Sequence, residues 1–421
     1  MNNKDYDVKT FSLKIFIITL LAWIYVLVPG TPPLNLFNPY DVLLIPKRWP
    51  DTFLQIQAGY ERVNHARAFQ ADDDEKCNMW RKRGDVLQVW QDEQNALAAV
   101  KGISDLGSFA PLFAIDDIGT VGHITPRGKL EVNNIMLSAW YHMCGRNISF
   151  AAHLPIIDAQ LKNVSWCDNF PVPDGFTAHD YVEALQLLGN MNLCGWHRKG
   201  IGDLATLFYW FGDNPQPKKY LKNVRLALRG GLTFPTGKKA GERDMFAFPF
   251  GNDAGLGILG AGFIELWFTH HMRGCIDGEF LQLFGSTHPR RIKTDFAQTD
   301  LLLLTKIPSY REFGFTQHYT MFVEAAHFWR GLSGKLAYQY TKHQRDKVFV
   351  CSDHFSPLVI NSAESLDEFT MHHIIVNLSY NFYKGIETRI KPYLQLFYKH
   401  GFNGKRAILV DSFTAVLSWS F

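Results

Sequence analysis

The last ten residues constrain this chain more than any other stretch. Phe413, Ala415, Leu417, Trp419 and Phe421 fall on one face of an extended strand. Ser412, Thr414, Ser418 and Ser420 fall on the other, with Val416 the one apolar residue among them. Chain termini are usually exposed and poorly ordered, so a Trp-x-Phe ending asks for apolar surroundings. A strand that is oily on one face and hydroxyl-rich on the other suits a wall between lipid and a wet lumen. A soluble sandwich could use the same alternation, so the rest of the chain has to decide.

The ending resembles the C-terminal sorting signal of bacterial outer-membrane β-barrels. That resemblance implies membrane lipid and, through the last strand, the barrel-assembly machinery as partners. Mean hydropathy is −0.11, too low for a bundle of apolar helices. The one long apolar run, Ile15 to Val28, is broken by Thr19, preceded by Lys4, Lys9 and Lys14, and ended by Pro29 and Gly30. It falls short of the ~20 residues of a spanning helix. It reads as a secretory signal, or an anchor where cleavage fails, over residues 1–30. Residues 31–51 then form a periplasmic N-terminal segment, and residues 52–421 the barrel. The aromatic fraction of 14% supplies interfacial girdles. A net charge of +3 gives no reason to expect nucleic acid.

Twelve period-2 segments follow from the pattern: Thr52–Arg62, Arg127–Met143, Asn147–Leu161, Ile201–Phe211, Asn223–Pro235, Ala254–Thr269, Ile276–Gly285, Phe315–Arg330, Lys335–Lys342, Phe369–Tyr383, Glu387–Lys399 and Lys405–Phe421. Most reach the 9–11 residues, roughly, of a tilted spanning strand. Pro155 and Pro392 are awkward, since proline cannot donate to a ladder. With Phe421 in the periplasm, connections there are short and those outside long, apart from a tight outer hairpin at His400–Gly404 and a longer inner connection at Gly212–Lys222. Val63–Pro126 reads as one long outer loop. Val86, Trp90, Leu97 and Val100 recur in it at helical spacing behind Asp85 as an N-cap. That loop either folds into the lumen as a plug or lies over the mouth. The fold class is therefore all-β, a single antiparallel transmembrane barrel.

Residues opposite the lipid-facing set line the lumen. This places Arg225, Arg229, Glu265, Glu324, Arg389, Lys391 and Gln395 inside, with Thr233, His373, Asn377, Ser379, Asn381 and Lys399. Such a lining is either a mixed, somewhat basic conduit for small solutes or a closed interior held by Arg–Glu pairs. Cys167 and Cys194 share one outer loop and are expected to pair in an oxidising envelope. Cys77–Cys351 is a second candidate bridge, and Cys144 and Cys275 fall in inner turns.

Enzyme motifs fail on inspection. Gly255-x-Gly257-x-x-Gly260 fits the dinucleotide fingerprint in letters, but strand-like residues follow it where a helix is required. Gly237-Lys238 lacks both the first glycine and the Ser/Thr of a phosphate loop. The pairs His270-His271 and His372-His373 point to opposite faces of a strand and hold no metal. No cofactor is expected.

Gly200-Ile201-Gly202-Asp203-Leu204, followed by Gly231-Leu232-Thr233-Phe234-Pro235-Thr236-Gly237-Lys238, resembles the "GxGD … LPTG" pattern of outer-membrane proteins grouped with phenol-degradation MetA-like proteins. Phe234 replaces the commoner leucine. These proteins are distantly similar to fatty-acid and aromatic-hydrocarbon outer-membrane transporters. The resemblance implies a barrel passing small hydrophobic or aromatic molecules, without catalytic residues. The alternative is a structural or surface-interaction barrel with a closed lumen.

Overall fold

The structure is a computed structural model that describes residues 36–46, 52–69, 83–90, 94–95, 99–100, 123–143, 147–168, 178–216, 218–329, 331–382 and 390–421. Twelve antiparallel wall strands are formed: β1 Leu54–Phe69, β2 His123–His142, β3 Ile148–Asp168, β4 in two pieces at Trp196–Ile201 and Leu204–Pro215, β5 Asn223–Phe234, β6 Gly257–Trp267, β7 Met272–Leu283, β8 Thr316–Trp329, β9 Leu332–His343, β10 Phe369–Asn381, β11 Lys391–Lys405 and β12 Ala407–Ser420. Each follows its predecessor in the sheet, and β1 pairs with both β2 and β12. The sheet is thus closed and its wall has no unpaired edge.

Every segment expected from alternation is a wall strand, with shifted ends. β1 runs on to Phe69 because Val63, Ala68 and Phe69 are buried beneath the outer loops. β11 continues through His400–Gly404, and the outer turn falls at Arg406, in the left-handed region at φ 48°. Gly257–Trp267 is a strand, so Gly257 and Gly260 of the fingerprint lie in the wall, Gly255 lies just before it, and no helix follows.

Pro155 in β3 has its compensation next door. β4 is interrupted at Gly202–Asp203 opposite it, and the Gly202 amide donates to the Pro155 carbonyl at 2.8 Å. A Cβ on Gly202 would sit 2.6 Å from both Phe250 O and Pro155 Cγ, so only glycine permits this approach.

Outward positions on β10 read Ile374, Val376, Leu378, Tyr380 and Phe382, and on β2 Ile135, Leu137 and Tyr141, all exposed. Phe413 on β12 is likewise exposed, while Ser412, Thr414, Ser418 and Ser420 are buried inside. Such a surface would be an aggregation hazard in water and is a lipid contact in a bilayer. Above it on β2–β4, outward positions turn charged, with Lys162 2.7 Å from Glu131 and Lys199 2.9 Å from Asp158. These strands therefore rise beyond the hydrocarbon.

The long connections all leave the end opposite Phe421. One carries helix α1, Ala178–Gly189, whose Tyr181, Val182 and Leu185 join Val86, Leu87, Met245, Leu301 and Leu302 in an apolar core above the barrel. Asp85 does cap a turn, with a reciprocal Asp85–Gln88 box, but the turn is a three-residue 3-10 helix, Val86–Gln88. Leu97 lies outside the described residues. In the described part of this loop Val86, Leu87 and Val89 are buried in the outer core. A small three-stranded sheet of Ser286–Arg291, Lys306–Glu312 and Lys347–Val350 stands beside it.

Candidate functional site

The lumen is occupied by a segment of the chain itself. Residues 36–46, expected in the periplasm, run inside the barrel, with Phe37, Tyr40, Val42, Leu43 and Leu44 buried. Sequence reading misplaced them because a short irregular stretch has no periodicity to read. The wall satisfies its backbone: the Phe37 amide donates to Glu61 Oε2 at 3.0 Å, Gln57 Nε2 to Leu44 O at 3.0 Å, and Arg229 Nη1 to Tyr40 O at 2.6 Å. Asp41 accepts from Gln339 Nε2 at 2.7 Å and from the Leu43 amide at 2.9 Å. Lys399 lies over the Phe37 ring, 4.5 Å from its centroid, and Phe397 packs against the same ring.

Arg229, Glu265, Glu324 and Gln395 are buried within the barrel and Arg225 is half-buried, and the cations among them are met by carboxylates. Arg229 is enclosed between Asp277 Oδ2 at 2.7 Å and Glu279 Oε2 at 3.0 Å. Arg273 bridges Glu265 and Glu324, reaching the latter at 2.6 Å, and Lys335 approaches Glu324 at 3.6 Å. Arg225 pairs with Asp213 at 2.8 Å. Cations buried this far from water persist only with such partners. Lys391 stands opposite Ser420 in the register, hence on the inner face. Arg389 lies outside the described residues. Asp277, Glu279 and Arg273 were missed, although Arg273-x-Cys275-x-Asp277-x-Glu279 alternates along β7.

The same alternation corrects the cysteines. Cys275 is buried within β7 and is not in a turn. Cys167 and Cys194 are separate, exposed thiols and form no bridge. Cys167 belongs to the end of β3, whereas Cys194 is held after α1 by its amide to Asn192 Oδ1 and by Gln186 Nε2 donating to its sulfur. Cys351 is also unpaired, and Cys77 and Cys144 lie outside the described residues.

Among the described residues, three cavities succeed one another along the barrel. The outer one, about 250 Å³, lies among the outer loops and includes Trp90, Met191, Met245, Phe246, Phe248 and Phe313 in its wall. A second, about 130 Å³, shares Phe248, Pro249, Gly251 and Asn252 with the first and is floored by Leu36 to Tyr40. The third, about 200 Å³, lies on the other side of the segment, against Val42, Ile45 and Pro46, and contains Arg225, Glu265, Arg273 and Gln395. Residues 36–46 thus border both the second cavity and the third.

The resembling motif builds the floor of the outer vestibule. At the break in β4, Asp203 accepts from the Gly237 amide at 2.8 Å and from the Asn252 amide at 2.6 Å. Thr236 Oγ1 receives the Leu204 amide at 2.9 Å and donates to Gly202 O at 3.1 Å. Together these bonds fold residues 237–252 inward over the lumen.

A second clasp ties three outer loops. Asp253 meets Arg290 at 2.9 Å and His288 at 3.1 Å, and Arg311 donates to Asp346 at 2.9 Å while lying 3.9 Å from Asp253. Burial pushes both carboxyls up. For Asp253 the His288 hydrogen bond and the Arg290 and Arg311 charges outweigh it, leaving the group well below the usual carboxylate range. For Asp346 the Arg311 and His343 charges, with the Gly314 amide, bring it to about 2.

Structural similarity was found to barrels of bacterial outer membranes. An outer membrane channel from Pseudomonas putida F1 aligns at 11% identity and TM-score 0.45, covering 88% of this chain and 95% of that one. The Ralstonia pickettii toluene transporter TbuX aligns at 9% identity and TM-score 0.29, over 88% and 89%. A Pseudomonas aeruginosa FadL homologue aligns at 8% identity and TM-score 0.29, over 88% and 90%. No family model matches the chain, and neither does any characterised protein compared by sequence. What these proteins share with this chain is the barrel fold.

Proposed function

We propose that this chain is an outer-membrane channel that admits small hydrophobic, aromatic molecules and is gated by its own residues 36–46. One observation carries the reading: cavities lie on both sides of that segment. The outer cavity of about 250 Å³ is ample for one ring, since an apolar cavity of ~150 Å³ takes benzene. Its aromatic wall, with Trp90 and Phe246 centroids 5.5 Å apart, suits a planar apolar guest. Its cations are engaged: Arg291 donates to the carbonyls of Glu242, Leu304 and Gly189, and Arg290 and Arg311 serve the carboxylate clasp. A neutral guest therefore fits better than an ion. Entry to the third cavity needs the segment displaced. The ordering of its eleven residues, at about 1–2 kcal/mol each, opposes its bonds to the wall.

Bromobenzene is a heavy-atom quencher that tests capture. It is expected to quench the purified barrel and to quench a Trp90→Phe variant less. Entry of a small hydrophobic fluorophore into intact cells, with and without the barrel, tests passage. Identical quenching in both proteins, together with unchanged entry, overturns the reading. A closed structural barrel is the second reading, favoured by the ion pairing inside the lumen. Permanent electrical silence after removal of residues 36–46 would establish it.

A further inference from the structure

The outer surface carries a feature that neither gating nor capture uses. Register places Lys342 opposite Thr370, and Thr370 opposite Lys405, so the three form one row across β9, β10 and β11. All three point outward, because Thr341, His343, Phe369 and Met371 beside them are buried within. Two strand spacings set the lysines roughly 9.5 Å apart. Directly below them, Tyr340 and His372 form the next row, with ring centroids 4.9 Å apart and Phe402 6.0 Å from His372. Below these begins the apolar band at Ile374 and Val376. The order from outside inward is therefore cations, amphipathic rings, hydrocarbon-facing side chains. That is the order of an anionic lipid lying against a protein wall, with its phosphate above and its acyl chains below.

The cations are incompletely neutralised. Glu368 reaches Lys342 at 3.4 Å and Lys405 at 3.7 Å, lying between them at long range. Asp367 faces Arg345 at 3.1 Å and Arg406 at 3.5 Å. Within the row itself two ammonium groups share one carboxylate, leaving a local charge of +1.

We infer that the Lys342–Thr370–Lys405 row is a docking site for the phosphorylated headgroup of an outer-leaflet glycolipid. A phosphate between the two ammonium groups takes the place that Glu368 occupies at a distance, and the Tyr340–His372–Phe402 cluster supports the sugar-to-acyl junction beneath it. The inference rests on the reading of the chain as an outer-membrane barrel, and its occupant is continuous with the lipid surface already described.

The test uses full-length protein refolded in detergent and incubated with diphosphoryl or monophosphoryl lipid A, with retained lipid counted by native mass spectrometry. Wild type is expected to retain the diphosphoryl form preferentially. Lys342→Gln with Lys405→Gln lowers that retention by about 25-fold, from about a factor of five per lysine at an anionic surface. Glu368→Gln removes the competing carboxylate and raises retention, and it keeps the inference testable where the double variant fails to fold. Equal retention of both lipids, or indifference to all three substitutions, overturns the site. Displacement by inorganic phosphate alone assigns the row to free phosphate and likewise overturns the lipid. Heat-dependent gel mobility, measured on the same samples, reports the barrel itself. A folded barrel that shows no lipid preference refutes this inference and leaves the channel reading standing.

Discussion

Replacing Arg229 with methionine separates what holds the barrel from what holds its gate. The guanidinium is buried, sits 2.7 and 3.0 Å from Asp277 and Glu279, and donates to Tyr40 O at 2.6 Å. Methionine keeps most of the volume and removes the charge. Two carboxylates then lie uncompensated, which costs about 3–5 kcal/mol for a buried pair that loses one partner. The lost bond to Tyr40 is charge-assisted, worth ~2 kcal/mol to segment 36–46, so the detached state should become about 30-fold more populated. Urea unfolding followed by heat-dependent gel mobility reads the first effect, and single-channel recording in a planar bilayer reads the second. Adding Asp277→Leu and Glu279→Leu removes the stranded carboxylates. Stability should then recover while the raised open probability persists. If stability and conductance return together, or if Arg229→Met alters neither, the assignment of Arg229 as both keystone and gate anchor is wrong.

Other outcomes follow from single contacts. Gly202→Ala places a methyl group 2.6 Å from Phe250 O and Pro155 Cγ, and is expected to cost more than about 2 kcal/mol in the same urea assay. Asp203→Leu removes the acceptor for the Gly237 and Asn252 amides, so limited proteolysis should begin to cut within residues 237–252 while the barrel remains resistant. The clasp on Asp346 has a sign fixed by its lowered pKa. Its contribution is fully present above the ordinary carboxylate value of ~4 and is lost as the pH falls through about 2. Pepsin digestion of the outer loops should accordingly be slow at pH 4 and accelerate toward pH 2, and equal rates would contradict the clasp. A maleimide should label Cys167, Cys194 and Cys351 in the folded protein and reach Cys275 only after unfolding, as peptide mass mapping would show.

The alternation of side chains by itself determined the wall. Period 2 over each segment fixes which face meets lipid, and a slip of one residue would turn every apolar side chain inward, so the twelve strands were legible. The Gly202–Asp203 and Thr236–Gly237 motif was visible as letters, but its purpose, pinning an inward-folded loop across a broken strand, needed the neighbouring Pro155 and Asn252 in place. Tertiary structure alone decided the interior. Residues 36–46 have no periodicity of their own, and their irregular backbone is stable in the lumen only because Gln57 and Glu61 of β1 and Arg229 of β5 converge to satisfy it. The partners of the lumen cations were equally hidden. Arg229 and Asp277 lie 48 residues apart on β5 and β7, and only the pairing of both strands with β6 brings them within 2.7 Å. Local spacing governs the face on which a side chain lies, whereas the curvature of the closed sheet governs what it meets there.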